Sequence, residues 1–489
     1  MDLHRLLYLP NPTMRPSLST PNFSAVENLI RTRLTQTGIA SLALSIAQGD
    51  QILWETGFGW ANRAAQKPAD EHTVYSLASI SKPITATGIM ILVERGLIDL
   101  DHPINDYLGN AKLTAHVGNA ADATVRRVAN HSSGLPLHCH FFYEDEAAPR
   151  PHMDETIRRY GHLMMPPGET YQYANSGFGL LEYLIERISG QSYADFLRQE
   201  IFIPLNLPRT SVDLPPNLEP YSAVRYTANG QHIPWYTFDH PGASAVWASA
   251  HDLVRFGLFH LKTHLPDQKT ILTDDTIEQM QQPTVRSSEQ SGYGIGFRVT
   301  EDDGGILTTG HDGAMGGVRT RLILVPEHNL SVAVLTNGGG HNLPIEIAAA
   351  LIDVLLPKHA ENRAKQQPEP QDPPQWSAQE NLLGSWSGSI HTYTDDLPLH
   401  LTFQPDGDIH IKLANQMTTL LNDPIFQNDT LTGRFNADIG SNDANKHPNH
   451  LRLNLKLRDN VLNGPTHAIS TPHNRSGNAL SYWTNLTRK

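Results

Sequence analysis

The chain has 489 residues, 37 of them basic and 50 acidic, and a formal net charge of −13. This length predicts two domains, and the acidic balance argues against a nucleic acid or an anionic membrane as the main partner. Cys139 is the only cysteine, which excludes an internal disulfide and is typical of a reducing compartment.

Residues 1–21 contain only a short apolar patch, Leu6 to Leu9, before a run with several prolines. That patch is too short for a signal peptide or a membrane anchor. No later stretch approaches the length of a spanning helix. We therefore expect residues 1–21 to form an irregular leader, and the protein to be cytoplasmic with no membrane contact.

The first regular elements are a helix and a hairpin. An amphipathic helix is predicted over residues 22–37, with Asn22 or Ser24 as its cap. Strands are predicted over residues 40–47 and 51–59, because these apolar stretches flank a Gly-Asp turn.

A Ser79-x-x-Lys82 sequence begins the next predicted helix, which ends near Gly96. Side chains three residues apart share one helix face, so Ser79 and Lys82 are expected side by side. A serine needs a neighbouring group to take its proton. A lysine does this only when burial or positive charge lowers its pKa. Taken alone, the four letters favour the structural alternative, a helix cap followed by a solvated lysine.

A polar insertion follows a short helix and turn in residues 123–136 and extends to about Met165. It contains His138, Cys139 and His140 in succession. This spacing is unlike that of standard zinc sites, and no second ligand pair lies nearby in the sequence. The sequence therefore predicts no metal and no cofactor.

Tyr173-x-Asn175 lies on a predicted loop that leads into a helix ending at Gly190. Functional side chains are often carried on such loops. The structural alternative is a buried tyrosine followed by a turn asparagine.

A glycine-rich segment containing His311, Asp312 and Gly313 follows a predicted strand over residues 306–310. Its glycines would let a backbone or ligand approach closely; the alternative is a glycine-rich turn with a surface histidine. Strands are predicted over 318–325 and 330–336. They are followed by a helix over 344–356 whose apolar face carries Ile345, Ala348, Ala349 and Ile352.

Residues 358–374 are charged and rich in Gln and Pro, which predicts a linker. Beyond it, apolar residues recur at every second position, as in Leu451 to Leu457, and a hairpin signal lies at Pro405 to Gly407. Residues 375–489 are therefore predicted to form an all-β domain of about eight strands.

The three motifs, in this order, resemble the penicillin-recognising serine enzymes. The similarity is to the branch with class C β-lactamases, D-aminopeptidases and β-lactamase-like esterases. Residues 130–136 resemble its H-T-S-G-L-P segment and residues 293–297 its Y-G-L-G-W segment. The resemblance spans about residues 22–357. It implies an α/β (α+β) β-lactamase/transpeptidase-like fold, with an antiparallel sheet and an inserted helical subdomain. Residues 375–489 are similar in pattern to the lipocalin-like barrels appended to some members.

The resemblance also implies residue roles. Ser79 would be the nucleophile of an acyl-enzyme, and Lys82 and Tyr173 would share acid and base work. The lysine would lower the pKa of the phenol, and burial would lower that of the lysine. The roles of the remaining site residues concern substrate: Asn175 would position Lys82 and substrate, His311 would donate to Tyr173 or substrate, Gly313 would allow close approach, and the backbone N–H groups of Ser79 and Ala314 would bind the oxyanion.

The third motif departs from the penicillin-hydrolysing relatives, which have a lysine where this chain has His311. A neutral histidine, with Asp312 adding negative charge if it faces the site, disfavours an anionic substrate. The expected activity is hydrolysis of a small ester or peptide with a neutral or amino-terminal acyl donor, and weak or no β-lactamase activity.

Three alternatives stay open. The first is transfer of the acyl group to an amine, as in peptide cyclisation. The second is a non-catalytic binding protein on the same fold. The third is a cell-wall DD-peptidase, which the missing lysine and the absence of a signal-peptide pattern disfavour. The short linker further predicts that a barrel loop reaches the cleft and narrows it. The sequence leaves the oligomeric state open.

Overall fold

The computed structural model describes residues 21–366, 376–377, 379–470 and 475–489. The predicted leader, apart from Pro21, and the second half of the predicted linker lie outside these ranges. Within them the α-helices are α1 (Ser24–Thr37), α2 (Ser81–Glu94), α3 (Val125–Ala129), α4 (Met153–Tyr160), α5 (Asn175–Ser189), α6 (Tyr193–Leu197), α7 (Pro241–Ser244), α8 (Ala250–His260), α9 (Asp274–Gln281), α10 (Leu343–Leu355) and α11 (Pro357–Lys365).

The strands of the first three-quarters of the chain are β1 (Ser41–Gln48), β2 (Gln51–Asn62), β3 (Lys67–Pro68), β4 (Tyr75–Ser76), β5 (Thr114–Ala115), β6 (Phe141–Tyr143), β7 (His162–Leu163), β8 (Ser211–Val212), β9 (Tyr236–Phe238), β10 (Val246–Ala248), β11 (Val285–Arg286), β12 (Ser291–Tyr293), β13 (Arg298–Glu301), β14 (Leu307–Met315), β15 (Val318–Val325) and β16 (Leu330–Thr336). Those of the C-terminal part are β17 (Gly384–His391), β18 (Asp396–Phe403), β19 (Ile409–Leu413), β20 (Thr419–Leu420), β21 (Asn422–Gln427), β22 (Thr430–Phe435), β23 (Asn449–Arg458), β24 (Val461–Ser470) and β25 (Ala479–Arg488).

The first sheet is antiparallel and joins both ends of its domain. Its order is β11-β12-β13-β14-β15-β16-β1-β2-β3, so β1 lies between β2 and the late strand β16. Leu42 and Leu44 of β1 pack with α1 and α10 on one face. Ala43 packs on the other face, in the core shared with α2, α5 and α8. Both faces are buried, which explains the continuous apolar runs of β1 and β16. The predicted fold class is confirmed.

The C-terminal strands form a second, nearly closed antiparallel sheet. Its order is β20-β19-β18-β17-β25-β24-β23-β22-β21. The strands alternate buried and exposed residues, as in β19, and the buried ones fill a single interior core. The predicted all-β barrel is therefore confirmed, with nine strands in its described part. Among the described residues, no helix combines the length and apolar character that crossing a membrane requires.

The barrel is joined to the part of the chain that precedes it by backbone pairing and buried side chains. The N–H and C=O groups of Cys139 and Ala479 pair reciprocally at 2.9 and 2.8 Å. Tyr160 at the end of α4 belongs to the barrel core, and its hydroxyl donates to Asp443 at 2.8 Å. Lys456 of β23 forms an ion pair with Glu169, four residues before Tyr173.

Three sequence expectations require local correction. The predicted linker begins as α11, which extends to Lys365. Ile345 is 44% exposed and Ala349 only partly buried, because α10 turns Ile347, Ala348, Leu351 and Ile352 toward the sheet. The N-cap of α1 is Phe23, although Asn22 Oδ1 accepts from the Ser24 N–H at 3.0 Å.

The third motif lies within a strand rather than after one. β14 continues through His311, Asp312 and Gly313 to Met315. The packing leaves no room for a side chain at position 313. A Cβ on Gly313 would lie 2.1 Å from the carbonyl oxygen of Leu77. The glycines that suggested a turn therefore permit close backbone approach.

Candidate active site

Ser79 lies in a short 3₁₀ turn, Ala78–Ile80, that continues directly into α2. The turn packs beside β14, and the Ser79 side chain is half-buried. Ala78 has a left-handed φ of 50°. Such a conformation costs a residue with a side chain on the order of 1 kcal/mol and is common at functional sites. The predicted nucleophile therefore stands at the border of sheet and helices, on a strained backbone.

Lys82 lies in the first turn of α2 and is fully buried. Its Nζ lies 3.0 Å from Ser79 Oγ, 2.8 Å from Asn175 Oδ1 and 3.2 Å from the carbonyl oxygen of Ala243. Burial lowers the pKa of Lys82 from 10.5 to about 7, because the ammonium loses its hydration. Near neutral pH the amine can therefore accept and return a proton.

Tyr173 precedes α5, and its hydroxyl lies 2.9 Å from Ser79 Oγ. The Lys82 ammonium lies 4.7 Å from the centre of the Tyr173 ring. Burial raises the pKa of the Tyr173 phenol above its usual value. The expectation that Lys82 lowers this pKa is wrong, because desolvation of the phenolate is the largest influence. The phenol keeps its proton at neutral pH.

His131 supports Tyr173 and was not singled out as a site residue from the sequence. Its ring centre lies 4.4 Å from that of Tyr173, and its Nδ1 accepts from the Ala174 N–H at 3.2 Å. Burial and the nearby Lys82 lower the pKa of His131 well below 6.5, so the ring is neutral. The only sequence signal was the similarity of residues 130–136 to a family segment.

Asn175 is the first residue of α5 and joins Lys82 to the insertion. Its Oδ1 accepts from Lys82 Nζ, while its Nδ2 donates to the carbonyl oxygen of His138 at 3.0 Å and to Cys139 Sγ at 3.0 Å. Both amide ends are used, so the side chain is held in one orientation. The prediction that Asn175 contacts Lys82 agrees with this geometry.

The second support of Lys82 comes from α7. The Ala243 carbonyl oxygen contacts Lys82 Nζ, and the neighbouring Gly242 N–H donates to buried Glu182 at 2.9 Å. Burial raises the pKa of Glu182 to about 8. The Gly242 carbonyl oxygen accepts from Thr85 of α2 at 2.6 Å. These contacts fix α7 between α2 and α5; no sequence motif indicated them.

His311 lies in β14 and is buried. Its Nδ1 lies 2.6 Å from the carbonyl oxygen of Asp312, so this nitrogen carries the proton. Burial lowers the pKa of His311 well below 6.5, which leaves Nε2 as an acceptor, and Nε2 has no partner among the described residues. The geometry therefore differs from the donor role that the resemblance implies.

Asp312 does not add free negative charge to the site. It alternates with His311 along β14, and its Oδ1 pairs with Arg321 of β15 at 2.9 Å. The part of the sequence argument that rested on Asp312 is therefore corrected, whereas the part that rested on a neutral His311 stands.

A cavity of about 650 Å³ lies along the end of β14, beside Ala314. Its lining includes Gly317, Arg319 and, from the C-terminal part of the chain, Arg475. The adjacent Ser476 Oγ accepts from the Gly316 N–H at 2.5 Å. The described part of the barrel thus reaches the strand that carries the third motif.

Comparison with known proteins identifies the family. The Beta-lactamase family model matches residues 26–355. Penicillin-binding protein 4 of Amycolatopsis lactamdurans is 29% identical over 333 residues, which cover 62% of this chain and 82% of that protein. A penicillin-binding protein of Bacillus subtilis (strain 168) is 25% identical over 320 residues, which cover 60% of this chain and 66% of the relative. The chain thus spans just under two thirds of the length of that second relative.

Solved structures show the same fold. The octameric penicillin-binding protein homologue from Pyrococcus abyssi has a TM-score of 0.62 at 22% identity and covers 95% of this chain and 100% of its own. SurE has a TM-score of 0.62 at 20% identity, and the match covers 95% of this chain and 98% of SurE. EstCE1, described as a hydrolase with promiscuous acyltransferase activity, has a TM-score of 0.58 at 18% identity, with 68% and 97% covered. The family model matches more than half of this chain, and the chain therefore belongs to the beta-lactamase family of serine hydrolases.

Proposed function

We propose that this protein hydrolyses esters or amides, including those of D-residue peptides, through an acyl-enzyme on Ser79. One observation carries the proposal: Ser79 Oγ lies 3.0 Å from Lys82 Nζ and 2.9 Å from the Tyr173 hydroxyl. A nucleophile within hydrogen-bond reach of an amine and a phenol has the geometry that covalent catalysis requires.

Lys82 is the better candidate for the base in acylation. Its pKa is lowered to about 7, so the neutral amine is well populated at neutral pH, whereas the Tyr173 phenol stays protonated. Neutral Lys82 takes the Ser79 proton as Oγ attacks the carbonyl carbon. The phenol donates its proton to the leaving group and becomes a phenolate. In deacylation this phenolate takes a proton from the attacking water, and the Lys82 ammonium returns its proton to Ser79 Oγ as the bond between the acyl carbon and Oγ breaks. Backbone N–H groups of Ser79 and Ala314 would stabilise the oxyanion, each contributing about 3 kcal/mol.

The third motif favours a neutral acyl donor or one with a free amino group. Neutral His311 offers no cation to a substrate carboxylate, and its unpartnered Nε2 can accept from a substrate N–H or O–H. For the same reason we propose weak or no β-lactamase activity. A penicillin turnover rate comparable with that of the best ester would contradict this choice.

The test is the intact mass of the protein, quenched in acid within seconds of mixing with a p-nitrophenyl acyl ester. The wild type should gain the acyl mass, and Ser79→Ala should gain none and lose on the order of 10⁵-fold in turnover. Ser385→Ala, in an exposed barrel position, should acylate like the wild type. A folded wild type that gains no mass and releases no nitrophenol with esters, D-residue amides and penicillins would favour a binding protein instead.

A second candidate is acyl transfer to an amine. The cavity beside Ala314, the residue whose N–H is proposed to bind the oxyanion, has Arg475 of the barrel in its wall and gives room for an acceptor at that end of β14. It also supports the expectation that the barrel narrows the cleft. Product analysis with the ester and a series of amino acid amides tests both points. If Arg475→Ala changes the ratio of amide product to hydrolysis product, acceptor selection by the barrel is supported.

A further inference from the structure

Behind Asn175 lies a buried group of four side chains, which we name the histidine–aspartate cluster: His138, His140, Asp239 and His240. Each is at most 2% exposed. His138 Nε2 lies 2.8 Å from Asp239 Oδ2, and His240 Nδ1 lies 2.6 Å from Asp239 Oδ1. His140 Nδ1 lies 3.8 Å from Asp239 Oδ2. The carboxylate is thus surrounded by three imidazoles.

The cluster is incompletely satisfied by hydrogen bonds. Neither ring nitrogen of His140 has a partner among the described residues, nor does His138 Nδ1. A buried polar atom without a partner costs about 1–3 kcal/mol, and such atoms in native structures call for an unseen partner. One of these atoms, His140 Nδ1, lies 3.8 Å from the buried Asp239 carboxylate and points to a missing ligand of positive charge between them.

We propose that the histidine–aspartate cluster binds one divalent transition-metal ion, and that zinc fits it best. Ligand atoms of His138, Asp239 and His240 all lie within 4.8 Å of one another. Imidazole and carboxylate are zinc ligands, and a closed set of four without water is typical of a structural site. His140 supplies the fourth ligand through Nδ1, the nitrogen that lies 3.8 Å from Asp239 Oδ2.

Binding requires a small local expansion. Zinc bonds of about 2.0–2.1 Å in a tetrahedron place ligand atoms roughly 3.4 Å apart. The 2.6 and 2.8 Å contacts to Asp239 must therefore widen, and the 3.8 Å separation from His140 must shorten. Cys139 is not a ligand, because its Sγ contacts Asn175 instead.

The sequence concealed this site because its two halves are remote. His138 and His140 lie about one hundred positions before Asp239 and His240, and only folding brings them together. The isolated His-Cys-His run therefore lacked the second ligand pair that a zinc site needs.

An ion here would tie together the two segments that support Lys82. The His138 carbonyl oxygen holds Asn175, and Ala243, three residues after His240, contacts Lys82 through its own carbonyl. The metal is a positioning element: none of its ligands is within hydrogen-bond distance of Ser79. Its presence is therefore independent of whether the proposed hydrolase function is correct.

The experiment measures metal content in the untagged full-length protein. The protein is stripped with a chelator, incubated with Zn²⁺ and desalted, and zinc per chain is counted by elemental mass spectrometry. A parallel sample with Co²⁺ is examined for the intense visible absorption of a four-coordinate ion. The buried variant is His138→Gln/His240→Gln. The matched control is His72→Gln/His251→Gln, because Glu55, His72 and His251 form a second, more exposed group with metal-ligand spacing.

We expect one zinc per chain in the wild type and in the control variant, less than a tenth of that in the buried variant, and a higher melting temperature with zinc than with chelator. Wild-type protein without stoichiometric zinc would overturn the proposal, as would zinc lost from the control variant alone. If the buried variant fails to fold, the Co²⁺ spectrum of the control variant decides. A four-coordinate spectrum in that variant supports metal binding at the histidine–aspartate cluster, and the absence of such a spectrum refutes it.

Discussion

The groups that contact Lys82 form two sets, in front of it and behind it, which come from different parts of the chain. In front of it lie Ser79 and Tyr173, half-buried and drawn from short motifs. Behind it lie Asn175 and the Ala243 carbonyl, which are held by segments remote in the chain. The front carries groups that can exchange protons with a substrate. The back carries fixed acceptors that orient the amine.

The difference shows how a lysine can be kept buried with a pKa near 7. The back supplies neutral oxygen acceptors, which hold the amine in place without the stabilisation that a carboxylate would give to its charged form. Substitutions in front should therefore remove chemistry and spare stability. Substitutions behind should affect stability and rate together.

After that of Ser79→Ala, the largest expected effect is that of Lys82→Met. Without the amine, acylation should fall on the order of 10⁴-fold or more. The melting temperature should not fall, since a buried ammonium costs hydration that methionine does not need. Acylation rate and thermal unfolding measure the two outcomes. Lys412→Met, at an exposed barrel position, should change neither, and a strongly destabilised Lys82→Met would show that Lys82 stabilises the fold.

Tyr173→Phe should have the next largest effect, on the order of 10²–10⁴-fold for substrates with basic leaving groups. The phenol keeps its proton and is placed to donate it. A nitrophenolate leaves without protonation, so nitrophenyl esters should lose much less than alkyl esters or amides. Comparison of kcat/KM across leaving groups measures this. Tyr171→Phe is the control, and equal losses for all leaving groups would argue against the donor role.

How far the sequence predicts this molecule depends on the distance between interacting residues. In front of Lys82, the position of Ser79 followed from local spacing, because residues three apart share one helix face. The position of Tyr173 followed only from the family resemblance. The alternation of Leu451 to Leu457 likewise indicated a barrel strand, confirmed as part of β23. The roles of these site residues stay predictions until tested.

Local sequence patterns did not predict the contacts between residues that are far apart in the chain. The Ala243 carbonyl contact, the neutralisation of Asp312 by Arg321, and the pairing of His138 with Asp239 join residues that no motif links. The glycines of β14 left both close backbone approach and a turn open for a related reason. Gly313 is required by the approach of Leu77, which lies far away in sequence.

The pH dependence should show the base directly. Below pH about 7 acylation should fall roughly tenfold per pH unit as Lys82 takes up a proton, and above it should level off. Four surrounding groups do not titrate there: burial lowers the pKa of His131 and His311, and raises that of Cys139 to about 11 and that of Tyr173 further. Glu182, whose pKa burial raises to about 8, bonds the Gly242 N–H of α7 and not Lys82. A rate independent of pH between 5 and 8 would contradict Lys82 as the base.

The same shift predicts a stability difference with a definite sign. The unfolded chain keeps the Lys82 proton up to about 10.5, whereas the folded chain releases it near 7. The unfolded state therefore binds more protons between these values, so this group makes the wild type more stable as pH rises. The melting-temperature advantage of Lys82→Met over wild type should shrink from pH 7 to 10, and an advantage that widens would contradict the assigned pKa.

The smallest expected effect is that of a barrel substitution beside the segment that holds Asn175 behind Lys82. Ser481 of β25 donates to the Leu137 carbonyl oxygen and contacts His467 at 2.7 Å, next to the segment that holds Asn175. Ser481→Ala should cost about 1 kcal/mol of stability and lower the acylation rate a few-fold at unchanged KM, since the substrate does not touch it. Ser385→Ala, exposed on β17, should alter neither. If Ser481→Ala changes KM and leaves kcat intact, the barrel acts on substrate binding and not on the position of Asn175.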